Sequence, residues 1–113
     1  TVLLPVNPAE PAYKSFLKEV VPLAHEKRMG IIGMRVYFRG LAGQLPGHTS
    51  MRPFLRFALS QPVANVVIGC DSLRQLEANV EFARSFVPMT DLEMEGLARE
   101  VLPYARQLMY YKP

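Results

Sequence analysis

The residues best suited by type and spacing to hold a ligand are Gly69-Cys70-Asp71-Ser72, followed by Gln75 and Asn79. A glycine lets backbone and bound molecule approach closely. Ser72 stands where a helix should begin, and a helix N-terminus turns unpaired N–H groups and positive partial charge toward an anion. Asn79 falls on the same helical face as Ser72. The same residues also suit a plain strand-to-helix turn closed by an N-cap. Cys70 is a lone cysteine with no histidine near it in sequence, and small cysteines are commonly buried, so its ordinary reading is structural.

Other side chains offer less. His25, between Ala24 and Glu26, reads as solvated, whereas His48 follows Gly47 in a loop and could touch a ligand. Two isolated histidines without a carboxylate at ligand spacing do not make a metal site. Arg52 and Arg56 lie four apart on one helix and read as a solvated face. Met89, Met94 and Met109 read as core fillers, and Glu93, Glu95 and Glu100 as charged surface.

Three apolar runs must position these groups: Val2 to Val6, Ile31 to Tyr37 and Ala64 to Gly69. They are rich in β-branched residues and largely lack polar alternation, the pattern of strands covered on both faces in a parallel sheet. Helical spacing follows the first run from Tyr13 to Arg28, with Pro22 forced to interrupt or restart the helix. A glycine-rich loop, Phe38 to Thr49, follows the second, and then an amphipathic helix from Met51 to Leu59. After the third run, Ser72-Leu73-Arg74-Gln75 and Thr90-Asp91-Leu92-Glu93 have the form of capping boxes. They predict helices to about Phe86 and about Met109. Strands beginning about thirty residues apart suit right-handed crossover units of parallel sheet.

Composition bounds the function. The chain is half hydrophobic, so it can bury a core and is not a disordered tail. Its length suits a single segment, 1–113. No apolar run approaches the ~20 residues of a membrane-spanning helix, so no membrane partner is expected. A single cysteine excludes a disulfide framework and multi-cysteine metal sites. The net charge of +3 comes from scattered bases and not from a basic block, which is weak evidence for nucleic acid, and no nucleic-acid partner is expected. The chain opens at Thr1 inside an apolar run, the look of a cut or processed end. Three strands alone would leave two unpaired sheet edges, so the segment reads as part of something larger.

Four segments then carry a resemblance: Leu3-Leu4-Pro5-Val6-Asn7-Pro8, Glu26 to Arg35, Phe57 to Pro62, and Val67 to Asn79. The most specific is the last strand running into Gly-x-x-Ser-x-x-Gln-Leu-x-x-Asn, followed by Phe86 to Glu93. Together they resemble the C-terminal part of an aldo/keto reductase, over nearly the whole chain. The resemblance implies an α/β fold: a partial (β/α)8 barrel, of the kind that needs ~250 residues, represented by its last three strand-helix units with parallel strands. It implies reduction of aldehydes or ketones by hydride transfer from NAD(P)H in the complete protein. The Asp/Tyr/Lys/His tetrad would lie upstream, so no catalytic residue is assigned here and this segment alone is expected to be inactive.

Cofactor binding does carry over. The resemblance implies a place for the adenosine 2′-phosphate at Gly69, Cys70, Asp71, Ser72, Gln75 and Asn79, with Asn79 placed to bond the adenine. It lays Arg39, Gly40 and Leu41 over the pyrophosphate, with Gly43 in the same loop. Met34 and Arg35 stand where many members stack an aromatic residue on the nicotinamide, and Arg35 would face the cofactor electrostatically. Asp71 occupies a place where many members carry an arginine, and repels an added phosphate by about 1 kcal/mol if exposed about 4 Å away. Arg74 could offset it. NADP is therefore the expected cofactor, and NAD is admissible. A small carbonyl compound is the expected substrate and a cytoplasmic location the accompanying expectation. The alternative is a non-enzymatic α/β module that self-associates through its open strand edges or binds a protein partner.

Overall fold

In the computed structural model, which describes residues 1–112, the three apolar runs form one parallel sheet in the order β1-β2-β3. Strand β1 (Val2–Pro5) pairs with β2 (Ile31–Met34) in the register Val2↔Ile31 to Pro5↔Met34. Strand β3 (Asn65–Val66) pairs with β2 at Ile32↔Asn65 and Gly33↔Val66. Bonds from Ala64 N–H to Ile31 C=O and from Val67 N–H to Gly33 C=O, both 2.8 Å, continue that ladder at either end. Pro5, which cannot donate to a ladder, is tolerated because β1 is an edge strand.

The strands are shorter than the apolar runs. β2 stops at Met34 because Arg35 takes a left-handed conformation, φ 52. The sheet is also not covered on both faces within this chain. Leu4, Ile31 and Gly33 are buried, whereas Leu3 is 55% exposed and Val67 58% exposed. By the two-residue pleat, Leu3, Ile32, Met34 and Val67 share the second face with Asn65 and buried Pro5, and on it Leu3 and Val67 are exposed while Ile32 and Met34 are half-buried.

Helices cover the first face. Ser15 caps α1 (Phe16–Glu19) by accepting from Lys18 N–H, and α2 (Val21–Glu26) restarts with Pro22 in its first turn, where a missing N–H costs nothing. Helix α3 (Arg52–Leu59) buries Phe54, Leu55, Phe57 and Ala58, with Phe54 edge-on to Phe38 at 5.9 Å. Helix α4 (Leu73–Arg84) buries no residue completely. Helix α5 (Asp91–Val101) begins with a complete capping box between Thr90 and Glu93. The single helix expected to run on to Met109 is broken at a 3-10 turn, Leu102–Tyr104, that contains Pro103, and resumes as α6 (Ala105–Leu108). The break leaves one apolar stripe intact: Leu97, Val101, Ala105 and Leu108 are all buried.

The loop between β2 and α3 is more ordered than its glycines suggest. Residues Phe38–Gln44 form 3-10 turns interrupted by left-handed Arg39 and Gly40. Arg52 and Arg56 also depart from a merely solvated face. Arg56 donates to Val87 C=O at 2.6 Å, Pro88 C=O at 3.0 Å and both Glu93 oxygens, tying α3 to the α4–α5 connection, and Arg52 lies over the Phe82 ring. Met109 is buried, and Met89 and Met94 pack against the core.

Candidate functional site

Met34 and Arg35 follow β2, and Gly69 to Ser72 follow β3, so both expected groups lie at the C-terminal ends of parallel strands. Their loops are joined through one side chain. The Tyr37 hydroxyl donates to Asn79 Oδ1 at 2.7 Å, and Asn79 Nδ2 donates to Cys70 Sγ at 3.1 Å. Asn79 therefore braces the loop after β2 against the loop after β3, and its amide is already engaged on both atoms. Cys70 is exposed rather than buried. Burial, with a smaller contribution from Cys70, pushes the Tyr37 phenol up from its ordinary 10 to about 12.

At α4, Ser72 Oγ accepts from Gln75 N–H at 3.2 Å, but the capping box is displaced by one residue. Gln75 Oε1 takes the N–H of Asp71, at 2.7 Å, rather than that of Ser72. The Asp71 carboxylate is exposed, and no ion pair within 4.0 Å joins it to Arg74 among the described residues.

The other expected cluster is drawn together by the end of the chain. Arg35 Nη1 donates to the Tyr110 hydroxyl at 2.8 Å and Arg39 Nη1 to the same oxygen at 3.2 Å. Arg35 also stacks on the Tyr111 ring, 4.7 Å from its centroid. The Arg39 hydrogen bond, followed by the Arg35 and Arg39 charges, holds the Tyr110 phenol below its ordinary range against partial desolvation. Three residues in this stretch other than glycine, Arg35, Phe38 and Arg39, have φ between 52 and 57. Such backbone costs about 1–2 kcal/mol per residue and collects at functional sites. Leu41 is partly buried and Gly40 exposed beside them.

A buried network anchors this end segment. Lys112 Nζ lies 2.8 Å from Glu10 Oε1, the two side chains being 5% and 0% exposed. Glu10 also accepts from Ser15 Oγ and from the N–H groups of Phe16 and Leu17, so its carboxylate neutralises the start of α1. Lys112 further donates to the Tyr13 and Lys14 carbonyls. Asn7 accepts from Ala9 and Glu10 N–H through Oδ1 and donates through Nδ2 to Arg35 C=O and to the Tyr111 hydroxyl. Sequence reasoning missed Glu10, Tyr110, Tyr111 and Lys112. The Asn7-Pro8 turn signal after β1 was the available local clue.

No family model, no curated protein and no solved structure matches this chain.

Two open clefts lie apart from this cluster. One, of about 360 Å³, is lined by Leu45 to His48, Glu100, Val101 and Tyr104, with His48 Nε2 on Glu100 Oε2 at 3.0 Å. The other, of about 310 Å³, lies between Arg52, Arg56 and Phe82. No helix is long and apolar enough to cross a membrane, and no group of three His, Cys, Asp or Glu side chains is placed to hold a metal ion among the described residues.

Proposed function

We propose that this chain is the dinucleotide-binding C-terminal portion of an aldo/keto reductase, built as the last three strand-helix units of a (β/α)8 barrel. The observation that carries the reading is the joining of the loops after β2 and β3 at the C-terminal strand ends, through Tyr37, Asn79 and Cys70, beside two exposed-edge arginines. Barrel enzymes assemble their sites on that end of the strands. The incompletely covered face carrying Leu3, Ile32, Met34 and Val67 fits staves of a barrel whose interior needs further strands.

The residues suit a nicotinamide dinucleotide in charge. Arg35 and Arg39 face the anionic pyrophosphate, and Ser72 with the first turn of α4 faces the adenosine end. Asp71, unpaired with Arg74, sets its carboxylate against a 2′-phosphate, so NADP is favoured by the resemblance alone and NAD fits the charge better. When bound, the nicotinamide would supply the hydride for a small aldehyde or ketone. The tetrad that moves the proton is assigned to the upstream part of the complete protein, and this segment by itself holds cofactor without turning over.

Calorimetric titration with NADH and NADPH tests the reading, on this chain and on the longer polypeptide with the upstream strands in place. Binding of either dinucleotide to the longer polypeptide is the expected result, and absence of both removes the reading.

One further observation favours a second reading, a module that self-associates. Helix α4 exposes Leu73, Leu76 and Val80 at helical spacing (69%, 49% and 41%), and β3 is an open edge of the sheet. Covering both at once would bury apolar surface and pair the strand. Sedimentation of the 113-residue chain decides this: a discrete folded dimer supports it, and a monomer excludes it.

A further inference from the structure

Arg52 carries a charge that no group of the chain answers. Its guanidinium lies over the Phe82 ring, 5.1 Å from the centroid, and makes neither a hydrogen bond nor an ion pair within 4.0 Å among the described residues. A cation–π contact uses the electron-rich face of the ring and consumes none of the five guanidinium N–H donors. Arg56, one turn further along α3, stands in contrast. The Val87 and Pro88 carbonyls and both Glu93 oxygens hold it, and Glu93 neutralises it. The two arginines, with Phe82, Ser85, Phe86 and Val87, line an open cleft of about 310 Å³. Phe82 and Phe86 are half-buried, so each ring shows surface to solvent. The Arg56 bonds fix the segment after α4 against α3, so the walls are held before any ligand arrives.

We propose that this cleft binds a small aromatic carboxylate, whose oxygens accept from Arg52 while its ring packs against Phe82 and Phe86. Charge sets the headgroup. One free guanidinium matches one carboxylate in a two-pronged bond, whereas a phosphate dianion calls for more positive charge than the Glu93-paired Arg56 leaves. Size sets the class of ligand. A cleft of about 310 Å³ stands at the lower end of the ~300–1,000 Å³ of small-molecule sites. A protein partner would need about 800 Å² of surface on each side. Two phenylalanine rings favour an aromatic body over an aliphatic one, because offset and edge-on ring pairs add to the gain from burial. No residue of the dinucleotide reading lines the cleft, so the two sites are separate.

Magnetic resonance titration of the isotope-labelled chain with phenylacetate tests it, beside neutral phenylacetamide and ringless acetate. Saturable amide shifts centred on Arg52, Arg56 and Phe82 to Val87 are expected with phenylacetate. The other two compounds should bind about tenfold more weakly or worse, one lacking the charge and the other the ring. Arg52→Gln is expected to weaken phenylacetate binding about tenfold or more, by loss of charge-assisted hydrogen bonds. Arg52 is exposed, so the change spares the fold, and melting curves confirm it. Arg52→Lys keeps the charge without the fork and should recover only part of the binding. Arg99→Gln, on the exposed face of α5, should bind as the unaltered chain does. Phenylacetamide binding as tightly as phenylacetate overturns the site, because the cleft is then only an apolar groove. Undiminished binding by Arg52→Gln overturns it too. So does a titration of the unaltered chain without saturable shifts at the cleft.

Discussion

The Tyr37 hydroxyl donates to Asn79 Oδ1 at 2.7 Å, linking the end of the second apolar run to the middle of α4 across 42 positions. That bond fixes how far apart the loops after β2 and β3 can stand, because Asn79 spends its other amide atom on Cys70. Removing the hydroxyl leaves a partly buried acceptor without its donor. Tyr37→Phe is expected to cost about 1 kcal/mol in urea unfolding and to raise hydrogen exchange in residues 69–72. Unchanged exchange there would show that the two loops are not coupled.

Two tyrosines should titrate on opposite sides of the ordinary phenol value. Absorbance at alkaline pH is expected to show Tyr110 ionising below 10 and Tyr37 at about 12. Tyr110→Phe removes the early step, and Tyr37→Phe removes the late one. Because the folded state raises the Tyr37 value, its contribution to stability is complete below pH 10 and is lost as pH rises from 10 to about 12. Arg39→Gln should move the Tyr110 step upward, since the Arg39 bond is the largest cause of its lowering.

Gly33 has no room for a side chain. A Cβ there would meet Val6 Cγ2 at 3.1 Å, Val6 Cβ at 3.2 Å and Val66 Cγ1 at 3.3 Å. These are stiff β-branched neighbours at the centre of the sheet. Gly33→Ala is expected to lower stability by about 1–3 kcal/mol through overpacking. Denaturant unfolding checks it, and a neutral result would mean that β1 and β3 shift freely.

The Glu10–Lys112 pair is buried on both sides, so breaking it strands a carboxylate. Lys112→Met is expected to cost about 3–5 kcal/mol. The double change Glu10→Gln with Lys112→Met should cost clearly less than the sum of the two single changes, as interacting neighbours do. Thermal melts of the four proteins provide the cycle, and additivity would refute the coupling.

Arg39 occupies backbone that glycine adopts freely, φ 57. Arg39→Gly should leave stability unchanged or raise it by up to about 1 kcal/mol, which denaturant unfolding checks. Loss of stability instead would mean that the Tyr110 contact outweighs the strain.

Much of the architecture followed from local signals. β-branched runs placed the strands to within a few residues, Ser72 and Thr90 marked helix starts, and Pro22 marked the break between α1 and α2. Each is a matter of neighbouring backbone groups and dihedral preferences, which a short stretch of residues fixes unaided. The same short-range reading overextended β2 through Tyr37 and carried the last helix through Pro103, where tertiary packing set left-handed turns and a 3-10 break.

What the residue order determined by itself was therefore the alternation of strands and helices and the loops that end near one another. Only the tertiary structure decided that Tyr110 would sit between Arg35 and Arg39, 75 and 71 positions away, and that Lys112 would reach Glu10 across 102. Such pairings depend on burial that desolvates one partner and on a chain end returning to the start of the sheet. No local pattern encodes either, because the favourable energy exists only once the intervening helices have packed.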